Sequence, residues 1–280
     1  MSLVHPLFKY IRPSGLKTAN CPGCGNGILA QAILRAIDEE NLSLDDFVFV
    51  SGIGCAAWIP SPFFHADTLH TTHGRPIAFA TGVKLAAPER RVMVVSGDGD
   101  LLAIGGNHFI HAARRNIDMV VVCVNNGIYG MTGGQVAPTT PYGLQTETTP
   151  YGNVENTFDI SGLAIAAGAT FVARWTVYQT LQITKTLRKA LNRKGFSLIE
   201  IMSQCPVHFG RKTGMGSTTR MLDHFRDASV PVAKAVRVSR EELDGKIVVG
   251  ELHEIEKPVL DVELARLRDR LRKEAAGGED

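Results

Sequence analysis

The stretch VMVVSGDGDLLAIGGNHFIHAARRNIDMVVVCVNN, residues 92–126, decides the fold. Its two ends, VMVV (92–95) and MVVVCV (119–124), are short apolar runs of the kind that form strands buried on both faces. Between them Phe109, Ile110, Ala112 and Ala113 recur at helical spacing, and Asn116 supplies a stop. Strand, helix, strand is a βαβ unit, whose two strands lie parallel in one sheet.

The alternation continues outward in both directions. Residues 25–40 carry Ile28, Leu29, Ile33, Ala36 and Ile37 as a helical stripe, and FVFV (47–50), bounded by Ser51 and Gly52, reads as a further buried strand. A strand at 170–173, a helix at 176–192 and a strand at 197–202 extend the pattern. The expected fold class is α/β, a parallel sheet with helices on both faces, spanning residues 1–209. Residues 210–280 are expected to be an extension: the polar, glycine-bearing GRKTGMGSTT (210–219), one strand at 246–249 and one charged helix at 259–273. No internal repeat occurs, and the final AAGGED is expected to fray.

At 280 residues and 44% hydrophobic the chain can bury a large core. A net charge of +2 without basic clusters speaks against nucleic acid or membrane as a partner. There is no run of eighteen apolar residues, and MSLVHPLFKYIRPSGLKTAN lacks the pattern of a signal peptide. Five cysteines, an odd number, fit a reducing compartment, so a cytoplasmic location is expected.

In a parallel sheet, ligands gather beyond the strand C-termini. The strand at 92–95 runs into Ser96-Gly97-Asp98-Gly99-Asp100, where glycines allow close approach of a ligand and the Asp98 carboxylate is a hard donor for Mg²⁺. The strand at 119–124 runs into Asn125-Asn126, whose amide oxygen and a nearby carbonyl suit the same ion, and then into Gly130, Thr132 and further glycines able to donate to phosphate. Alone, GDGD would be an ordinary acidic turn. Two such strand ends one helix apart suit a metal-bound diphosphate.

CPGCG (21–25) pairs Cys21 with Cys24, a spacing that serves zinc, a redox dithiol or an iron–sulfur cluster. A Cys₄ zinc site more often uses two such knuckles, and a thioredoxin-like pair would follow a strand. Cys123, inside an apolar run, reads as a small buried hydrophobe. GIGCAA (52–57) imitates a dinucleotide fingerprint, but WIPSP (58–62) breaks the helix that should follow. Among nine histidines, His70 and His73 make a chance pair, and His108 and His111 read as packing on a helix face.

Gly-Asp-Gly at 97–99 followed by Asn125-Asn126 resembles the signature of thiamine diphosphate enzymes. With YGMTGGQ (129–135), APTT (137–140), SGIGC (51–55) and THGR (72–75), the chain is similar to the β subunit of 2-oxoacid:ferredoxin oxidoreductases from about Cys21 to Cys205. The resemblance implies that Cys21, Cys24, Cys55 and Cys205 hold a [4Fe–4S] cluster, and that Asp98, Asn126 and Ile128 bind Mg²⁺. It implies a thiamine diphosphate site made of Ile53, Gly54, Cys55, Ala56, His73, Gly97, Asp98, Gly99, Asp100, Asn126, Ile128, Gly130, Met131 and Thr132, with His73 and Arg75 also touching substrate. Residues 1–209 would then carry both cofactors and 210–280 would contact a partner.

The implied reaction is oxidative decarboxylation of a 2-oxoacid to acyl-coenzyme A and CO₂, with electrons passing through the cluster to ferredoxin. Motif style favours 2-oxoglutarate. The chain has room for one thiamine-binding domain, so an α subunit is expected to supply the other, in a dimer of αβ heterodimers. Ala56 stands where many relatives have Ser, and Trp58 where some carry a basic residue, so this loop offers no such side chain to a substrate carboxylate. The rival readings are a non-redox thiamine diphosphate decarboxylase subunit and a zinc-stabilised binding subunit.

Overall fold

The computed structural model describes residues 5–13 and 18–276. An eight-stranded sheet runs in the order β2-β1-β3-β4-β6-β5-β8-β7. Its strands are β1 (Phe47–Ser51), β2 (Asp67–His70), β3 (Arg91–Gly97), β4 (Met119–Asn125), β5 (Phe171–Thr176), β6 (Phe196–Met202), β7 (Ser229–Pro231) and β8 (Ile247–Glu254). From β2 to β5 every neighbour is parallel. β4 lies inside this run and is buried along its whole length, as its continuous valines require.

Helices cover both faces. One face carries α1 (Asn26–Glu39) and α5 (Thr180–Leu191), which bury Leu29, Ile33, Ile37, Ile183 and Leu187 with Phe49 and Val122. The other carries α2 (Pro76–Ala86), α3 (Gly106–Arg114) and α4 (Ile160–Ala167), packed around Phe109, Val94, Val121 and Leu198. Phe109 is fully buried against Phe196, which is worth about 2–3 kcal/mol. Cys123 is a buried member of this second cluster.

Asn116 does end the helix, and does more. It takes a left-handed φ of 48°, which Asn tolerates, and its side chain bonds the carbonyls of Lys257 and Pro258, Thr170 Oγ1 and the Phe196 N–H. One residue thus ties α3 to the starts of β5 and β6.

The structure differs from the sequence expectation in several places. The helix expected from 176 begins at Thr180, because β5 continues to the buried Thr176 before turning. α2, α4 and β2 were not anticipated. The extension contributes α6 (Thr218–Ala228), β7, α7 (Val232–Ala235) and the longer β8, which pairs antiparallel with β5 and joins the main sheet. The last helix, α8 (Leu260–Ala276), is mostly exposed, as its charge suggests. The expected fraying of the tail falls largely on residues 277–280, outside the described residues. No helix among the described residues is long and apolar enough to cross a membrane.

Candidate active site

β1, β3, β4 and β6 are consecutive in the sheet and parallel, so their C-terminal loops stand side by side on one rim. These loops carry Gly52–Cys55, Asp98, Asn126 and Cys205. The chain leaves β1 outward to β2 and returns on the other side to β3, which makes the β1/β3 crevice a topological switch point. There the residues expected at the cofactor surround one cavity of about 250 Å³, with Tyr129 added. His73 is among them; Arg75 is not.

Asp98 is the buried acid of this cavity, 2% exposed. Its carboxylate accepts the Thr139 hydroxyl, and the nearby backbone N–H groups of Asn126 and Gly99 favour its ionised form. Even so, burial dominates and pushes its pKa up to about 6. No Lys, Arg or His among the described residues pairs with this buried carboxylate, a chemistry that fits a divalent metal at its remaining lone pairs. The Asn126 Oδ1 accepts the Ile128 N–H at 3.1 Å, folding the loop back on itself so that both residues face the same cavity. Tyr129 packs flat on Gly99, where any Cβ would collide with its ring, and donates its hydroxyl to the Gly99 carbonyl at 3.1 Å.

The raised pKa has a testable sign. The folded state of the metal-free chain binds a proton at Asp98 more tightly than the unfolded state, so ionising Asp98 destabilises the fold as pH rises through about 6. A shift of about two units from the ordinary 3.8 corresponds to about 3 kcal/mol. Chemical unfolding of the metal-free protein will therefore show stability gained between pH 7 and pH 4 from this site, and Asp98→Asn will lack that slope. Magnesium affinity will move the opposite way, falling below about pH 6 as the proton competes.

Asp100, expected at the cofactor, has its oxygens occupied by the protein. It accepts the Gly74 N–H at 2.6 Å, the Ile53 N–H at 3.3 Å and the Ser96 hydroxyl, and His73 Nδ1 lies 2.6 Å away without the alignment of a hydrogen bond. It braces three loops, and Gly52 is required because a Cβ there would overlap its carboxylate. Arg75 donates to the carbonyls of Gly74 (3.3 Å) and Ile104 (3.2 Å) and forms no ion pair among the described residues. His108 is half-buried and its pKa is lowered by burial and by Arg75, whereas His111 is exposed rather than packed.

A second cavity, about 280 Å³, adjoins the first and is lined by Cys21, Cys24, Cys55 and Cys205. The two share Cys55, Asn126, Gly130 and Met131 as a common wall. Gly130 sits between two of the thiols: a Cβ on it would lie 3.6 Å from Cys205 Sγ and 3.7 Å from Cys55 Sγ. The loops are laced together, with the Gly25 N–H donating to the Gln204 carbonyl, Gln204 Nε2 to the Gly23 carbonyl, and Asn26 Nδ2 to the Cys55 carbonyl.

Burial, and then the neighbouring thiols, push Cys24 and Cys55 up to about 11. That is the reverse of an activated redox dithiol. Among the described residues no three His, Cys, Asp or Glu side chains are gathered tightly enough for a single metal ion. A zinc ion would hold its sulfurs about 3.8 Å apart, from a Zn–S length of about 2.3 Å in a tetrahedron. Four thiols spread around a cavity suit a larger inorganic core.

Sequence reading missed Thr139, Tyr129 and Asn26 as site residues. Thr139 and Tyr129 lie inside the APTT and YGMTGGQ motifs, and Asn26 follows CPGCG directly, so each had a local signal.

Residues 52–201 match the thiamine pyrophosphate enzyme family, C-terminal TPP binding domain. The 2-oxoglutarate synthase subunit KorB of Methanocaldococcus jannaschii is 52% identical over 97% of this chain and 100% of its own. The 2-oxoacid:ferredoxin oxidoreductase subunit beta of Saccharolobus solfataricus is 43% identical over 67% of this chain and 62% of its own. Among solved structures, a chain of the 2-oxoglutarate:ferredoxin oxidoreductase from Magnetococcus marinus, with 2-oxoglutarate, coenzyme A and succinyl-CoA bound, superposes with a TM-score of 0.84 at 33% identity, covering 98% of this chain and 96% of that one.

Proposed function

The chain belongs to the thiamine pyrophosphate enzymes and, within them, to the β subunits of the 2-oxoacid:ferredoxin oxidoreductases, and from that premise we propose that it serves the coenzyme A-dependent oxidative decarboxylation of 2-oxoglutarate. The observation that carries this reading is the shared wall: the Asp98 cavity and the four-cysteine cavity meet at Cys55, Asn126, Gly130 and Met131. A coenzyme in the first cavity and a cluster in the second would lie on either side of that wall, with a short path for electrons between them. A non-redox decarboxylase subunit would have no use for the convergent thiols, and a zinc site would need them closer.

When bound, thiamine diphosphate supplies the carbon nucleophile and electron sink for decarboxylation, and a [4Fe–4S] cluster accepts the electrons singly before ferredoxin. Asp98, Asn126 and Ile128 would hold Mg²⁺, the first through its buried carboxylate and the last through its carbonyl. Gly99, Gly130 and Thr132 would meet the diphosphate, and Cys21, Cys24, Cys55 and Cys205 would hold the cluster. Asp100 fixes His73 and the Gly74 turn against the cavity. Arg75, steadied on Ile104, keeps further N–H groups for the substrate carboxylate.

Among the described residues the carboxylates lining the Asp98 cavity are Asp98 and Asp100, and both are engaged. A further acid for activating the coenzyme must come from elsewhere, which supports an α subunit. Ile53, Trp58 and Met131 are exposed apolar side chains at that rim, ready to be covered. We place the α contact there and on residues 210–280, in a dimer of αβ heterodimers, and the enzyme in the cytoplasm, where its free thiols stay reduced.

Anaerobic purification with the co-expressed α subunit tests the reading by visible spectroscopy. A brown protein that bleaches on adding 2-oxoglutarate with coenzyme A, and less with pyruvate, is expected. A colourless protein, or a colour indifferent to every 2-oxoacid, contradicts it.

A further inference from the structure

We propose that Glu200 is a positioning residue for the metal clamp, acting through Asn125; this rests on the reading of Asp98 and Asn126 as that clamp. Glu200 lies in β6 facing the end of β4, 2% exposed. Asn125 Nδ2 donates to its Oε1 at 2.8 Å, while Ser161 Oγ and Arg174 Nε donate to its Oε2 at 2.6 and 2.8 Å. Arg174 in turn pairs with the exposed Asp159 at 2.5 Å. A charged chain therefore runs from the surface, through the sheet, to the residue immediately before Asn126.

Its effect on the clamp follows from how Asn125 is held. The Asn125 carbonyl accepts the Ser203 N–H at 2.8 Å, and its Oδ1 is buried with no partner among the described residues. The bond to Glu200 is then the one hold on its side chain. Together the two bonds fix the peptide between 125 and 126, whose N–H lies near enough to Asp98 to favour its carboxylate form. Releasing Glu200 leaves that peptide held by the Ser203 bond alone, able to tilt about it and to carry the Asn126 amide with it. Glu200→Gln removes the charge and one acceptor oxygen. Ser161 and Arg174 then keep an acceptor only if Asn125 turns its own amide over to meet the new N–H, which shifts the side chain that precedes Asn126.

A merely structural ion pair would give a different result, and the protein contains one for comparison. Lys84 and Asp118 pair at 2.9 Å, both buried, and Asp118 stands at the opposite end of the same strand region, beside the start of β4. In the full chain purified with its α subunit, calorimetric titration with magnesium and thiamine diphosphate is expected to show affinity at least tenfold weaker in Glu200→Gln and in Asn125→Ala. The double variant is expected to be no weaker than Asn125→Ala alone, since the two act in series. Asp118→Asn is expected to lower Tm yet bind as wild type.

Unchanged affinity in a folded Glu200→Gln or Asn125→Ala protein overturns the proposal, as do losses that simply add. If Glu200→Gln does not fold, Asn125→Ala decides alone, because Glu200 keeps its bonds to Ser161 and Arg174. A wild-type protein that takes up no magnesium and thiamine diphosphate would instead overturn the clamp reading beneath it.

Discussion

Asp98→Ala will strip the protein of thiamine diphosphate and magnesium while leaving its iron at the wild-type level. Asp98 is the buried acid between the β3 and β4 loops: Thr139 donates to it, and the backbone N–H groups of Asn126 and Gly99 nearby favour its charge. Removing the carboxylate deletes the hard anionic donor a divalent ion needs and leaves those donors facing a void. Second-sphere changes at metal sites already weaken binding about 10–100-fold, so loss of a direct ligand should exceed about a hundredfold. Turnover should fall with it. The cysteine loops are untouched, since Cys55 is tied to Asn26 and Gln204, just before Cys205, to Gly23 and Gly25. Cofactor analysis of the purified protein checks the first half and iron determination the second; loss of both together would mean the variant has lost its fold.

Cys205→Ala should give the mirror image. Cys205 follows β6 and stands across Gly130 from Cys55, lining the cysteine cavity but not the Asp98 cavity. Alanine is small, and the loop remains anchored by Gln204 to Gly23 and Gly25. A four-iron core with three protein ligands is exposed to loss of iron. The expected protein is pale, with at most a fifth of wild-type iron, and shows no substrate-dependent bleaching. Its affinity for magnesium and thiamine diphosphate should stay within about twofold, because Asp98, Asn126 and Thr139 keep their contacts. Retained ferredoxin reduction would show that electrons leave by another route.

The two variants separate because parallel strands put several loops on one edge without making them one unit. That property also explains what could be read beforehand. β3, β4 and β6 are buried on both faces, so their apolar runs stand out, and a parallel sheet sends all their loops to the same side. Asp98, Asn126, Cys55 and Cys205 were therefore legible as neighbours although far apart in sequence.

Elements without a clear period were not. α4, ISGLAIAA, is apolar almost all round, and β2 is a half-exposed edge strand with one leucine. α2 begins at Pro76, a good first residue, but Gly82 and its nearly uniform apolar character hid it. α6 was readable: Met221, Phe225 and Ala228 make a stripe behind the Ser217 cap, obscured by the polar residues before it. β8 could not be assigned to the main sheet because antiparallel pairing with β5 depends on the whole chain returning to that edge. Asp100 and Glu200 looked like a ligand and a strand residue respectively, and only their partners reveal that each holds loops in place.

On this reading a magnesium-bound coenzyme and an iron–sulfur core occupy adjoining cavities on this rim. Crystals of the anaerobically purified αβ complex, measured at the iron absorption edge, test it directly. Strong anomalous density is expected inside the cavity bounded by Cys21, Cys24, Cys55 and Cys205, with the diphosphate and its metal at Asp98 and Asn126 across Gly130. Iron absent from that cavity, or a diphosphate bound away from Asp98, would contradict it.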